Sequence, residues 1–119
     1  MEEIERVYAF AFGLGADQNI TMVRGDTFAF GLELIQLDQD LETAFFTCRR
    51  SYDAEISFQL SIGNGIEKVE TGLYRVRIAP EMTKYLESGH YYYDFEIGLN
   101  SDVFTLAKGD LWLEHDATY

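Results

Sequence analysis

Cysteine, histidine, proline and basic residues are all scarce in this chain, and each scarcity excludes something. The single cysteine, Cys48, has no partner for an intrachain disulfide, which fits folding in a reducing cytosol. Only Arg49 and Arg50 offer it positive charge, so Cys48 reads as a small core residue rather than a nucleophile. The two histidines, His90 and His115, stand about 25 positions apart with no Cys or His pair at ligand spacing, so no metal site is expected and both are read as surface or edge residues. Against 21 acidic residues there are only 9 basic ones, a formal net charge of -12. That charge repels phosphate backbones and anionic lipid surfaces, so neither nucleic acid nor membrane is expected as a partner. No apolar run approaches the roughly 20 residues that span a bilayer. Glu2, Glu3 and Glu5 stand where a secretory signal carries bases, and the expectation is a soluble chain without an export signal. There is no Gly-x-Ser-x-Gly elbow, phosphate loop or dinucleotide fingerprint. We therefore expect no catalytic residue, no cofactor and no enzyme.

What the chain does have is strand-forming material. Of its 119 residues 47% are apolar and 15% aromatic, with one proline, a mixture that favours strands over long helices or disorder. One domain of this length buries roughly 60 to 70% of the surface its unfolded form exposes. The clearest stretch is Gly89 to Leu99. Tyr91, Tyr93, Phe95, Ile97 and Leu99 alternate there with Tyr92, Asp94, Glu96 and Gly98, a period of two that makes a half-buried strand. Asn100-Ser101-Asp102 suits a tight turn, so the run from Val103 to Asp116 is expected to fold back as a hairpin partner. Within that run Phe104 and Leu106 share one parity while Leu111 and Leu113 hold the other. One extra residue repairs the register, and Lys108-Gly109 is the expected place for a bulge.

Earlier segments repeat the pattern. Residues 1–18 read as an N-terminal arm, with Tyr8, Phe10, Phe12 and Leu14 on one side of a strand and Gly13, Gly15 and Asp17 forming a neck. Such an arm must dock, either on its own sheet or, as we prefer, on a neighbouring subunit. Residues 19–119 form the domain. Strands are expected over 20–24, 28–34, 43–50 and 56–62. Gly63-Asn64-Gly65 signals a turn with 66–70 returning as its hairpin partner, and 74–78 follows as a further strand. Pro80 ends that strand and residues 81–86 make one helical turn. If strands 74–78 and 91–99 are neighbours, Arg75 and Arg77 pair with Asp94 and Glu96. The acidic turns at Asp38 with Asp40 and at Asn100 with Asp102 are read as solvated rather than calcium-binding, and Arg24-Gly25-Asp26 as a glycine turn rather than a recognition tripeptide. Tyr92 and Trp112 fall on the polar sides of their strands, where they read equally as a contact surface for protein or sugar and as ordinary partly buried rings.

About seven strands at short spacing argue for an all-β antiparallel sandwich. Gly89-x-Tyr91-x-Tyr93, after a helical turn, resembles the E-F corner of immunoglobulin-like domains, with Tyr91 as the corner tyrosine and Tyr93 where such domains hold their second cysteine; the disulfide and the strand-C tryptophan are missing. A broader likeness runs through Arg24-Gly25-Asp26-Thr27-Phe28, Asp40-Leu41-Glu42-Thr43-Ala44, Tyr93-Asp94-Phe95-Glu96, Thr105-Leu106-x-x-Gly109-x-Leu111 and Asp116-Ala117-Thr118. In that order the pieces resemble the small immunoglobulin-like domain of bacteriophage tail and baseplate proteins, such as the N-terminal domain of baseplate upper proteins. The resemblance implies a non-enzymatic structural protein of a virion or prophage particle, assembled in the host cytoplasm. Its partners would be other virion proteins and further copies of itself, engaged through the arm (Tyr8, Phe10, Phe12) and β-edges. The alternative is a carbohydrate- or protein-binding module that uses Tyr92 and Trp112.

Overall fold

The computed structural model describes residues 7–11, 16–17, 19–35 and 37–116. The protein is all-β, with strands β1 (Val7–Ala11), β2 (Ala16–Asp17), β3 (Ile20–Val23), β4 (Phe28–Ile35), β5 (Thr43–Arg49), β6 (Ile56–Ile62), β7 (Gly65–Glu70), β8 (Leu73–Ile78), β9 (Gly89–Leu99) and β10 (Asp102–Glu114). A single helical turn, α1 (Pro80–Thr83), separates β8 from β9. All the strands join one mixed sheet in the order β1-β4-β8-β7-β6-β5-β9-β10-β2, with β3 also on β10, and it curls into a nearly closed barrel.

The β9–β10 hairpin forms as its sequence pattern dictates. Asn100 and Ser101 have φ of 54° and 67°, and Leu99 faces Asp102 across the turn. Positive φ at both central residues matches the right-handed twist of the flanking strands. The bulge exists but lies at Leu106 rather than at Lys108-Gly109: Thr105 pairs with Glu96 and Ala107 with Phe95, while Gly109 stays in the ladder opposite Tyr93. The extra residue is one whose side chain the core can use. Leu106 is fully buried, and the shift lets Leu111 and Leu113 also point inward.

Gly63-Asn64-Gly65 turns the chain without making the expected hairpin. β7 touches β6 only at Ser61–Gly65 and Ile62–Ile66, in parallel, and then runs antiparallel to β8. The chain thus crosses from one half of the barrel to the other. Gly65, at φ 96°, makes the crossing possible: a Cβ there would sit 2.7 Å from Leu60 Cδ2 and 3.1 Å from the Arg77 carbonyl oxygen. A consequence is that β8 and β9 are not neighbours. Arg75 faces Glu67 of β7, and the charge pairs expected between Arg75, Arg77, Asp94 and Glu96 do not form across adjacent strands.

β1 lies parallel to β4, Tyr8 opposite Leu32 and Phe10 opposite Leu34. The arm strand therefore docks on its own sheet, the less favoured of the two expected positions. The other neighbour of β4 is β8, so β1 occupies backbone groups of β4 that would otherwise form an open edge. Phe12 and the neck residues Gly13 and Gly15 lie outside the described residues.

The core is built around Phe46 on β5. Its ring stacks on Tyr93 with centroids 5.0 Å apart and lies 5.9 Å from Phe95, 6.1 Å from Phe58 and 6.3 Å from Phe30, all within the range of favourable aromatic pairs. Rings from β4, β6 and β9 thus converge on one ring that is 0% exposed. Two buried hydroxyls take backbone donors: Tyr74 Oη accepts from the Leu41 N–H at 2.9 Å, and Thr83 Oγ1 accepts from the Gly25 N–H at 2.9 Å. The second bond, with Arg24 Nη1 donating to the Leu86 carbonyl at 3.3 Å, latches the turn at Arg24-Gly25-Asp26 to α1.

Candidate functional site

Alternation along β9 and β10 sends a second set of side chains outward. His90, Tyr92, Asp94 and Glu96 come from β9, and Trp112, Asp110 and Lys108 from β10, with Trp112 opposite His90 and Asp110 opposite Tyr92. The neighbouring β5 brings Arg49 opposite Tyr92 and Thr47 opposite Asp94. Four rings from three segments make a row on this face. Trp112 lies 4.6 Å from His90, His90 lies edge-on to Tyr92 at 4.5 Å, and Tyr92 stacks on Tyr52 at 4.4 Å with 24° between the planes.

Local bonds hold the row in place. His90 Nε2 is 2.8 Å from Asp110 Oδ1, which fixes the imidazole between Tyr92 and Trp112. Arg49 Nη1 donates to the Ala54 carbonyl at 2.6 Å, tying down the loop that carries Tyr52 against the end of β5. The two outer rings stay accessible, Trp112 49% exposed and Tyr52 76%, while His90 and Tyr92 between them are half-buried. Large rings left in water at this place make it the candidate contact surface of the fold.

The row runs into a depression over β5, β6 and β9. A space of about 450 Å³ is lined by Phe45, Thr47, Arg49, Gln59, Asp94 and Glu96. A second, of about 150 Å³, shares Thr47, Arg49 and Asp94 and reaches Tyr52, Tyr92 and Lys108. Gln59 Nε2 donates to Thr47 Oγ1 at 2.8 Å. The walls of the depression withdraw water from Asp94 and push its carboxyl up from the usual carboxylate range, and the Arg49 guanidinium opposes that rise.

The structure places Tyr92 and Trp112 on one face with His90 between them. It adds Tyr52, His90 and Arg49, which the sequence reading did not select. Tyr8 and Phe10 sit in β1 at the far end of the strand order and take no part in this face. Cys48 is fully buried, and desolvation pushes its thiol up to about 12, which removes it as a nucleophile. Among the described residues no group of three or more His, Cys, Asp or Glu side chains is placed to hold a metal ion.

At the other side of β9 Tyr91 closes the corner. Its hydroxyl donates to the Glu87 carbonyl at 2.6 Å, and the Arg50 guanidinium lies 4.8 Å from the ring centroid. Burial pushes the Tyr91 phenol up from its ordinary value, partly offset by Arg50. Arg50 also packs over Gly89, where a Cβ would lie 3.1 Å from Nη1.

No protein-family model matches the chain, and no curated protein matches it either. Solved structures share its fold at low identity. The N-terminal domain of phage TP901-1 ORF48 is similar over 92% of this chain and 97% of its own length, with 10% identity and a TM-score of 0.52. An AA10 lytic polysaccharide monooxygenase from Streptomyces lividans is similar over 81% of this chain and 59% of its own length, with 9% identity and a TM-score of 0.54. A candidate glycoside hydrolase from Bacteroides vulgatus is similar over 82% of this chain, with 12% identity and a TM-score of 0.53, but this chain spans only 17% of it.

Proposed function

We propose that the chain is a non-enzymatic structural module of a phage or prophage particle, an immunoglobulin-like sandwich that joins subunits of a tail or baseplate by protein-protein contacts. The observation that carries this reading is the end-to-end correspondence with the phage domain, which matches nearly the whole of both chains, whereas the two carbohydrate-active neighbours are matched in part. The strand order supports the immunoglobulin-like form. β4, β8 and β7 pair as one group, while β6, β5, β9 and β10 pair as another, with β3 parallel to β10. Tyr91 supports it further, since a tyrosine at the start of this strand bonding back to the chain four residues upstream is the tyrosine corner of such domains. Phe46 stands at the centre of the core, in ring contact with Phe30 of β4 and Tyr93 of β9.

Assembly through sheet edges is supported by β6, which bonds β7 only at its last two residues and carries Ile56 and Ile62 at 44% and 42% exposure. An edge with free backbone groups and apolar side chains is a template for a further strand. The particle location, other virion proteins as partners and self-association belong to the same proposal. Size-exclusion chromatography with light scattering tests it. The full chain is expected to run above the mass of one 13.7 kDa chain, and a monomer for both the full chain and one lacking residues 1–18 contradicts assembly.

A further inference from the structure

We infer that the outer face of β9 and β10, continued by the depression over β5 and β6, is a binding groove for a neutral saccharide chain. This use of the face does not rest on the assembly reading, which engages the open edge of β6. Three observations converge on it. The first is the row of rings. The core already has its aromatic centre in Phe46, and nothing in the packing calls for Trp112 and Tyr52 to stand in solvent at the two ends of a row whose middle, His90 and Tyr92, is half-buried. A pyranose ring has an apolar C–H face and a rim of hydroxyls, so an exposed indole or phenol plane covers the first without competing for the second.

The second observation is the chemistry beside the rings. Arg49, Gln59 and Lys108 supply donors, Asp94 and Glu96 supply acceptors, and Thr47 offers either, all along one depression. A few placed polar groups beside apolar platforms is the composition of a ligand site. Donors and acceptors alternate across strands rather than segregating, which suits vicinal hydroxyls that both give and accept. It does not suit a polyanion: acidic side chains line the same depression as the bases, and the chain as a whole carries a charge of -12. The depression continues the aromatic row through the shared residues Arg49 and Asp94, so the occupant is a chain rather than a single sugar.

The third observation is order in place before binding. The His90–Asp110 contact and the Arg49 bond to the Ala54 carbonyl hold the platform in its stacked form, so little side-chain freedom remains to be lost when a ligand arrives.

Affinity electrophoresis of the full chain tests the groove, with galactomannan, xyloglucan, mannan and dextran as neutral probes and polygalacturonate as the anionic one. At least one neutral probe is expected to retard the chain. Replacing both Tyr92→Ala and Trp112→Ala is expected to weaken that retardation at least tenfold, whereas Tyr85→Ala, which removes an 85% exposed ring elsewhere on the surface, leaves it unchanged. Far-UV circular dichroism and a melting curve show that each variant is folded. Light scattering on the same samples keeps assembly apart from sugar binding. No retardation by any neutral probe, stronger retardation by polygalacturonate, or retardation that survives the double substitution overturns the proposal. A double variant that loses self-association where no probe binds assigns the face to a second copy instead, and also overturns it.

Discussion

On the inner face of β9 stand Tyr91, Tyr93 and Phe95; on the outer face, one residue away in each case, stand His90, Tyr92 and Asp94. Both faces are rich in rings, yet their surroundings differ. Inside, Tyr93 and Phe95 meet Phe46 from β5 and are almost completely buried, so their geometry follows from close packing. Outside, Tyr92 meets Tyr52 and His90 with solvent beside them. The comparison teaches that an aromatic is explained by the fold only where its burial is. What the fold leaves unexplained on β9 is the outer row, and that row lies beside the polar depression.

The largest expected effect tests the inner side. Phe46→Ala removes the ring that four aromatic neighbours share and should cost about 3–5 kcal/mol in urea unfolding, a large part of the stability of a domain of this size. Tyr91→Phe keeps the ring but deletes the bond to the Glu87 carbonyl, for an expected loss of about 1 kcal/mol by the same measurement. The pH dependence that Cys48 adds to stability is absent at neutral pH and appears in alkali. Its thiol titrates near 12 in the fold and near 9.0 when free, so the unfolded chain releases its proton first. Its contribution to stability is complete below pH about 9 and is lost as pH rises toward 12. The check is a pH series of unfolding midpoints for the protein and for Cys48→Ala, whose difference should change only in that range. Iodoacetamide at pH 8 should leave the native thiol unmodified and react with it in urea. The smallest effect is on the outer side: Trp112→Ala should change stability by no more than about 0.5 kcal/mol, as an exposed substitution does.

How far the sequence revealed this division depends on how local each signal is. The β9–β10 hairpin was legible because strict alternation and Asn-Ser at the turn act over neighbouring residues. The need for a bulge in β10 was legible too, from the parity conflict between Leu106 and Leu111. Its position was not, because glycine marks where a bulge is easy, while the core selects the residue worth burying, Leu106. Gly63-Asn64-Gly65 shows the same limit. The turn is local, but whether the next strand returns beside β6 or crosses to β8 is decided by the contact of Gly65 with Leu60 and by the burial of Ile66. The separation of Arg75 and Arg77 from Asp94 and Glu96 follows from that crossing.

Of the candidate site, Tyr92 and Trp112 were legible from parity alone, as large rings where polar side chains belong. Tyr52 was missed because it lies in a turn, Ser51-Tyr52-Asp53, where no periodicity operates; a tyrosine in an otherwise polar turn was the available signal. His90 and Arg49 were read as an edge histidine and a neighbour of Cys48. Only strand pairing shows that they flank Tyr92 from β9 and β5.

Tyr92 and Tyr93 are adjacent in sequence and identical in chemistry, so one pair of unfolding curves isolates the difference between the two faces. Tyr93→Ala should destabilise the protein by about 3 kcal/mol or more, as loss of a buried ring does, and Tyr92→Ala by less than about 1 kcal/mol. Equal losses in urea unfolding, or a larger one for Tyr92→Ala, would contradict the division of β9 into an inner face that builds the core and an outer face free to bind.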